Sequence, residues 1–283
     1  MVISGRSFLS DSREFDGEGR NHCALCKVRV SGHCGAIDDG DGRSLAALDA
    51  AHAPLRVLQA GETIYHQGDR SDRLFNLLSG WVALQQDAPD GQRHILQFVL
   101  PGGSFGLGPE GSVLGHSAMT LTTTTLCMIR RTRHDQLRLE HPDFNERFLW
   151  LIQRDVRVAQ DNLGNMAHGS AAARVAHQVW ELAIRSLGRR PSPGERIWAP
   201  ITQVHLAMAT GLTPIHVNRV LRRFRQQDLM ELRSQGLIVH DPRALEQLSG
   251  ASEDLIALWR QGPQVASKRS DSDHMAPENR SAI

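Results

Sequence analysis

The chain has 283 residues, with 32 Lys plus Arg against 31 Asp plus Glu and 40% hydrophobic side chains. That length holds two modest domains and some tail, and the balanced charge excludes a globally basic nucleic-acid coat while allowing a local basic patch. No apolar run approaches the roughly 18 residues of a membrane span, and the N-terminus lacks the apolar core of a secretion signal, so a cytoplasmic protein is expected.

Residues 1–20 are rich in Ser, Gly and charge, without periodicity, and are expected to be a disordered tail. The next segment carries Cys23, Cys26 and Cys34 in a C-x2-C-x7-C arrangement, and the fourth and last cysteine is Cys127. A reducing compartment favours metal binding over disulfides. Four thiolates are what a [4Fe–4S] cluster requires. Zinc is an alternative, although Cys23 and Cys26 make one knuckle where structural zinc sites usually have two. A thiol–disulfide switch would need low-pKa thiols, and Cys127 alone could be a buried apolar residue. His22 and His33 flank the cysteines and are expected to be solvated neighbours. A short helical stretch follows near Leu45–Leu48.

From Val57 to Arg131 the pattern is short strands punctuated by glycine. Glu62–His66, Leu74–Leu78, Trp81–Gln85, Arg93–Val99 and Leu121–Ile129 are the predicted strands, with a turn at Asp90-Gly91. Such spacing predicts a small barrel or sandwich, so residues 21–133 read as a cysteine arm plus a β sensor domain. The Gly-rich run Gly102–Gly106 has no lysine and reads as a turn, not a phosphate loop. No paired carboxylates or nucleophile–base set stands out, so an enzyme is not expected.

Residues 134–168 switch to helical spacing, with His141-Pro142-Asp143 as a start signal. Phe148, Leu151, Ile152, Val156, Leu163 and Met166 form the apolar stripe of a long helix. That stripe reads as a dimer interface, against the plainer reading of a helix packed on its own domain. Gly169-Ser170 breaks it, and a second helix runs from about Ala172 to Leu187.

Within residues 172–248, Ile201–Thr210 reads as a helix, Gly211-Leu212-Thr213 as a tight turn, and Pro214–Gln227 as a second helix, with Thr202 and Thr213 counted among the DNA-binding candidates. Gly ends the first helix, Thr213 caps the second, and Pro214 sits where its missing N–H is harmless. This is the spacing of a helix-turn-helix. Asn218 and Arg219 are suited to adenine and guanine edges, and Arg222 and Arg223 to phosphates. Ile215 and His216 stand at the groove-facing start of the helix. The plainer reading is that the arginines form a solvated helix face. Leu229–Leu232 and Leu237–His240 read as the two strands of a wing. Residues 249–283 are expected to be a mostly disordered tail with one apolar stretch, Leu255–Trp259.

The cysteine spacing, the strand-rich middle and the C-terminal helix-turn-helix together resemble the CRP/FNR family of bacterial transcription regulators, over about residues 20–248. The resemblance implies an α+β fold: an N-terminal β-roll of the cyclic-nucleotide-binding kind, a long dimerisation helix and a C-terminal winged helix-turn-helix. Within the family the chain looks most like the FNR-type branch of oxygen sensors, where Cys127 matches the place of a fourth cluster ligand. That likeness implies an activator that binds a palindromic promoter as a homodimer, works with RNA polymerase, and loses activity with its [4Fe–4S] cluster. The sequence departs from the cyclic-nucleotide pattern, with His116 standing where an Arg is usual and no Glu in Gly103–Leu107, so cyclic nucleotide is disfavoured. It also departs from Glu-x-x-Ser-Arg in the reading helix, with Ile215-His216-Val217-Asn218-Arg219 instead. A rival reading is a regulator that answers to a thiol switch or an effector in the barrel, without a cluster.

Overall fold

The computed structural model describes residues 23, 26–29, 31–37, 43–89, 91–234 and 236–260. The expected tail 1–20, His22, Asp90 of the predicted turn and the tail beyond residue 260 lie outside the described residues.

A 3-10 turn, His33–Ala36, and helix α1, Arg43–Ala51, precede the β-domain. Its strands are β1 (His52–Leu58), β2 (Thr63–Tyr65), β3 (Arg73–Ser79), β4 (Val82–Asp87), β5 (Arg93–Val99), β6 (Ser104–Phe105), β7 (Ser117–Thr120) and β8 (Thr124–Arg130). They form two antiparallel sheets, β1-β8-β3-β6 and β2-β7-β4-β5. Strands β6 and β7 are short and were not anticipated from the sequence. β1 was largely missed because Pro54 reads as a strand breaker. It is tolerated because β1 is an edge strand and its register shifts between Ala53 and Arg56. Between the sheets lie Leu77, Val82, Ala118 and Leu126, with the rings of Tyr65, Phe75 and Phe105. Gly80 sits at φ +86°, where a Cβ would strike the Thr123 carbonyl, so the turn between β3 and β4 requires glycine.

The stretch 134–168 holds most of α2, Arg131–Glu140, and the whole of α3, Pro142–His168, which starts at the expected His141-Pro142 signal. The break is at His141, which is extended (φ −127°, ψ 93°) because the residue before a proline is driven out of the helical region. α3 has 27 residues and is about 40 Å long. Gly169 ends it, and Ser170 caps α4, Ala171–Leu187, by accepting from the Ala173 N–H.

The C-terminal domain continues with β9 (Glu195–Trp198), α5 (Gln203–Thr210), α6 (Pro214–Gln226), β10 (Met230–Arg233), β11 (Gly236–Val239), α7 (Pro242–Ser249) and α8 (Glu253–Arg260). The sheet order β10-β11-β9 adds an unpredicted third strand to the wing hairpin. α8 corrects the expectation of a tail from residue 249, since Leu255, Ile256 and Trp259 are buried. Trp180, Leu182, Ile184 and Phe224 are fully buried at the centre of this domain. One apolar cluster runs on from here into the β-domain through Trp81, Ile95 and Phe98. Trp81 and Trp198 meet edge to face across that junction, with ring centroids 6.0 Å apart.

Candidate functional site

The fold brings the four cysteines together. All four are free thiols, Cys23 and Cys127 buried and Cys26 and Cys34 half-buried. All four line one cavity of about 30 Å³, with His52, Asn76 and Gly102 also in its wall. Cys127 comes from the central strand β8, directly across the ladder from Asn76 of β3. Cys34 comes from the 3-10 turn, and the Cys23 N–H donates to Asp49 Oδ1 of α1 (3.0 Å). Gly102, at φ +91°, lets the turn before β6 lie against Ser31 of the arm, where a Cβ would collide.

Burial governs these thiols. It pushes Cys23 up to about 12, assisted by the Asp49 carboxylate. It raises Cys127 to about 11, against the Asn76 amide, which pulls the other way. Cys34 is driven well above the ordinary thiol value by burial, with the neighbouring cysteines adding to it. Without a cation to draw off their protons these three groups are thiols and poor nucleophiles, the opposite of what a thiol switch needs. Among the described residues, no three His, Cys, Asp or Glu side chains converge on one metal-ion position. Tetrahedral zinc would hold its sulfurs about 2.3 Å from a single point.

His33, expected in solvent, is fully buried. It belongs to a hydrogen-bonded chain that begins at a cysteine. Asn76 Nδ2 donates to Cys127 Sγ (3.4 Å), and Ser104 Oγ donates to Asn76 Oδ1 (2.8 Å). With its proton so used, Ser104 Oγ accepts from His33 Nδ1 at 3.2 Å. Burial holds His33 well below its usual pKa, hence neutral. Its ring meets Phe144 and Phe148 of α3 edge-on, with centroids 5.0 and 5.7 Å away, and His134 of α2. Beside it, Arg147 Nε of α3 donates to the Gly32 carbonyl (2.8 Å). The cysteine arm is thus seated on the junction of α2 and α3.

Burial within the chain removes two residues from the expected dimer stripe. Phe148 and Leu151 are 7% and 6% exposed within their own chain, so they are not on the free face. The free face carries Ile152, Val156 and Leu163, joined by Leu149, which the sequence reading omitted. Met166 is half-buried, its methyl against Gly211 in the turn before α6.

Inside the β-domain, the Tyr65 hydroxyl and His116 Nε2 are 2.8 Å apart. Burial lowers the His116 pKa, so this imidazole is not a permanent cation.

The helix-turn-helix is locally well specified. Thr202 Oγ1 accepts from the His205 N–H, and His205 Nδ1 accepts from the Thr202 N–H, making a reciprocal cap for α5. Gly211 ends α5 in the left-handed region (φ 65°), and Thr213 caps α6 by accepting from the His216 N–H. Val217, Val220, Leu221 and Phe224 are buried. His216, Arg219, Arg222 and Arg223 are exposed, as is Ile215 at 76%. Asn218 is half-buried and donates to Gln203 Oε1 (2.8 Å), a partner the sequence reading did not single out. Arg219→Ala is expected to cost about 1–3 kcal/mol and relax preference at one base pair, whereas Arg223→Ala should weaken all sequences alike. Binding to a panel of single-base operator variants checks this, and the same uniform loss from both substitutions would refute the division of labour.

A β-roll joined through a long helix to a winged helix-turn-helix defines a class of two-domain, DNA-binding regulators. The cyclic nucleotide-binding domain family matches residues 55–141, and the Crp-like helix-turn-helix domain family matches residues 173–248. The chain belongs to the CRP/FNR family of transcription regulators. It is 26% identical over 221 residues to the CRP-like cAMP-activated global transcriptional regulator of Mycobacterium tuberculosis, covering 76% of this chain and 96% of that one. It is 27% identical over 247 residues to the transcriptional activator protein FnrA of Stutzerimonas stutzeri, covering 87% of this chain and all (100%) of the relative. The structure of FixK2 from Bradyrhizobium japonicum superposes with a TM-score of 0.64 at 21% identity, covering 71% of this chain and 98% of that one. Among the described residues, no helix is long and apolar enough to cross a membrane.

Proposed function

We propose that this regulator is an oxygen-responsive activator whose four cysteines hold a [4Fe–4S] cluster. The observation that carries the reading is that Cys127, far from the others in sequence, lines the same cavity as Cys23, Cys26 and Cys34. The donors suit the group: four soft sulfurs in an apolar wall, with no disulfide among them. Cys23, Cys26, Cys34 and Cys127 would each supply one thiolate to such a cluster. At about 30 Å³ the cavity admits little more than a water, so loading would move the arm outward. When bound, the cluster supplies an oxygen-labile iron centre.

The chain's own residues supply the coupling. Asn76 orients Cys127, Ser104 orients Asn76, and His33 holds Ser104 while resting on Phe144 and Phe148. Arg147 ties the arm backbone directly to α3. A shift of the arm therefore reaches α3, whose face at Ile152, Val156 and Leu163 is free to pair with a second copy. A homodimer would present two α6 helices to half-sites about 34 Å apart on a palindromic promoter, from which RNA polymerase would be engaged. Neutral His116 speaks against a cyclic nucleotide as the signal. A second reading, an effector-responsive regulator without a cluster, draws on the cleft of about 950 Å³ between the domains, lined in part by Leu121, Trp198, Ile201 and Arg233.

The test is the visible spectrum and the iron and sulfide content of protein purified without oxygen. About four irons per chain, lost in air and absent from Cys127→Ser, are expected. Folded protein that is colourless and iron-free would overturn the cluster and leave the reading of a regulator that answers to another signal.

A further inference from the structure

The reading surface of this protein lacks an acidic acceptor. At the start of α6 the exposed side chains are Ile215, an aliphatic group, and His216, followed by Arg219 one turn on. The amide of Asn218 carries donors and an acceptor side by side. It is not free: one of its N–H groups is given to Gln203 Oε1 in the first turn of α5, at 2.8 Å. An unpaired amide can turn over and present donor and acceptor in either order. The bond to Gln203, itself an amide, couples the two groups, so that neither turns over alone.

We propose that Gln203 is a specificity-determining residue: by pairing with Asn218 it holds that side chain in place and occupies one of its polar groups, leaving the rest of the amide to face the major groove. In the arrangement seen, Asn218 keeps its Oδ1 and one N–H for DNA. Those two groups match the major-groove edge of adenine, whose N6 amino group donates and whose N7 accepts. Gln203 thus acts on base choice from the neighbouring helix, as a positioning residue. This rests on the helix-turn-helix being the DNA-binding element.

The experiment is selection of binding sites from a pool of randomised half-sites by the full-length chain purified without oxygen. Wild type, Gln203→Ala, Gln203→Glu, Asn218→Ala and the Gln203→Ala/Asn218→Ala pair are compared. Both single alanine variants should lower the adenine preference at the same position by about fivefold or more, and the double variant should lose no more than either. Gln203→Glu keeps the acceptor for Asn218, so it should retain the adenine preference while binding every sequence more weakly, its charge repelling phosphate. The idea fails if Gln203→Ala keeps the preference and weakens all sequences equally, which is the mark of a phosphate contact. It fails equally if the effects of the two alanine variants fall at different positions or add. Absence of any selected sequence with wild type would overturn the DNA-binding assignment itself.

Discussion

Phe144→Ala should be among the most damaging single substitutions in the N-terminal half, costing about 3–5 kcal/mol. Phe144 has no exposed surface and supports the rings of both His33 and His134. Removing the ring leaves a cavity under the arm, and neutral His33, whose Nε2 already lacks a partner among the described residues, would face the void or admitted water. The loss should be read in two ways. Chemical denaturation should show the reduced stability, and the arm should become accessible to thiol reagents, with Cys34 modified faster than in wild type. Phe144→Leu, which fills more of the space, should lie between the two proteins. Wild-type thiol protection in a destabilised Phe144→Ala protein would show that the arm is held by something other than this seat.

Trp180→Ala should unfold the winged domain first, again at about 3–5 kcal/mol. Trp180 is the largest side chain with no exposure and lies at the centre of α4. Its indole N–H has no acceptor among the described residues. Trp180→Phe should therefore be much milder than its lost volume suggests, because the unpaired donor, worth about 1–3 kcal/mol when buried, leaves with the ring edge. Thermal melts of the three proteins, followed with operator binding, decide the point. Equal losses for Ala and Phe would show that the N–H is satisfied.

Much of the architecture was legible because local signals agreed with the tertiary fold. Gly211, Thr213 and Pro214 mark helix ends by backbone chemistry, and each stands at such an end in the structure, whereas Thr202, read as part of the first helix, caps it. The period-2 runs gave β3, β4, β5 and β8 to within a few residues. β6 and β7 have only two and four residues, too short for periodicity, and β1 was hidden by Pro54. The grouping of the cysteines followed from their number; what surrounds them did not. His33 looked like a polar neighbour because its burial depends on α2, α3 and Ser104, which meet only in three dimensions. The same holds for Phe148 and Leu151, whose helical spacing marks an apolar face without saying whose surface covers it. Gln203 carries no sequence signal for its role, since its link to Asn218 depends on how α5 crosses α6.

The match to the helix-turn-helix family stops at residue 248, but the hydrophobic interior does not. Trp259 of α8 lies edge-on against His177 of α4, with ring centroids 5.2 Å apart, and Leu255 and Ile256 are buried beside it. Helix α8 is therefore a lid over this face of the domain. A boundary drawn by likeness to relatives would cut it away and leave a greasy scar along α4, open to water and prone to self-association. In this protein the functional end of the DNA-binding unit is set by packing at least as far as residue 260.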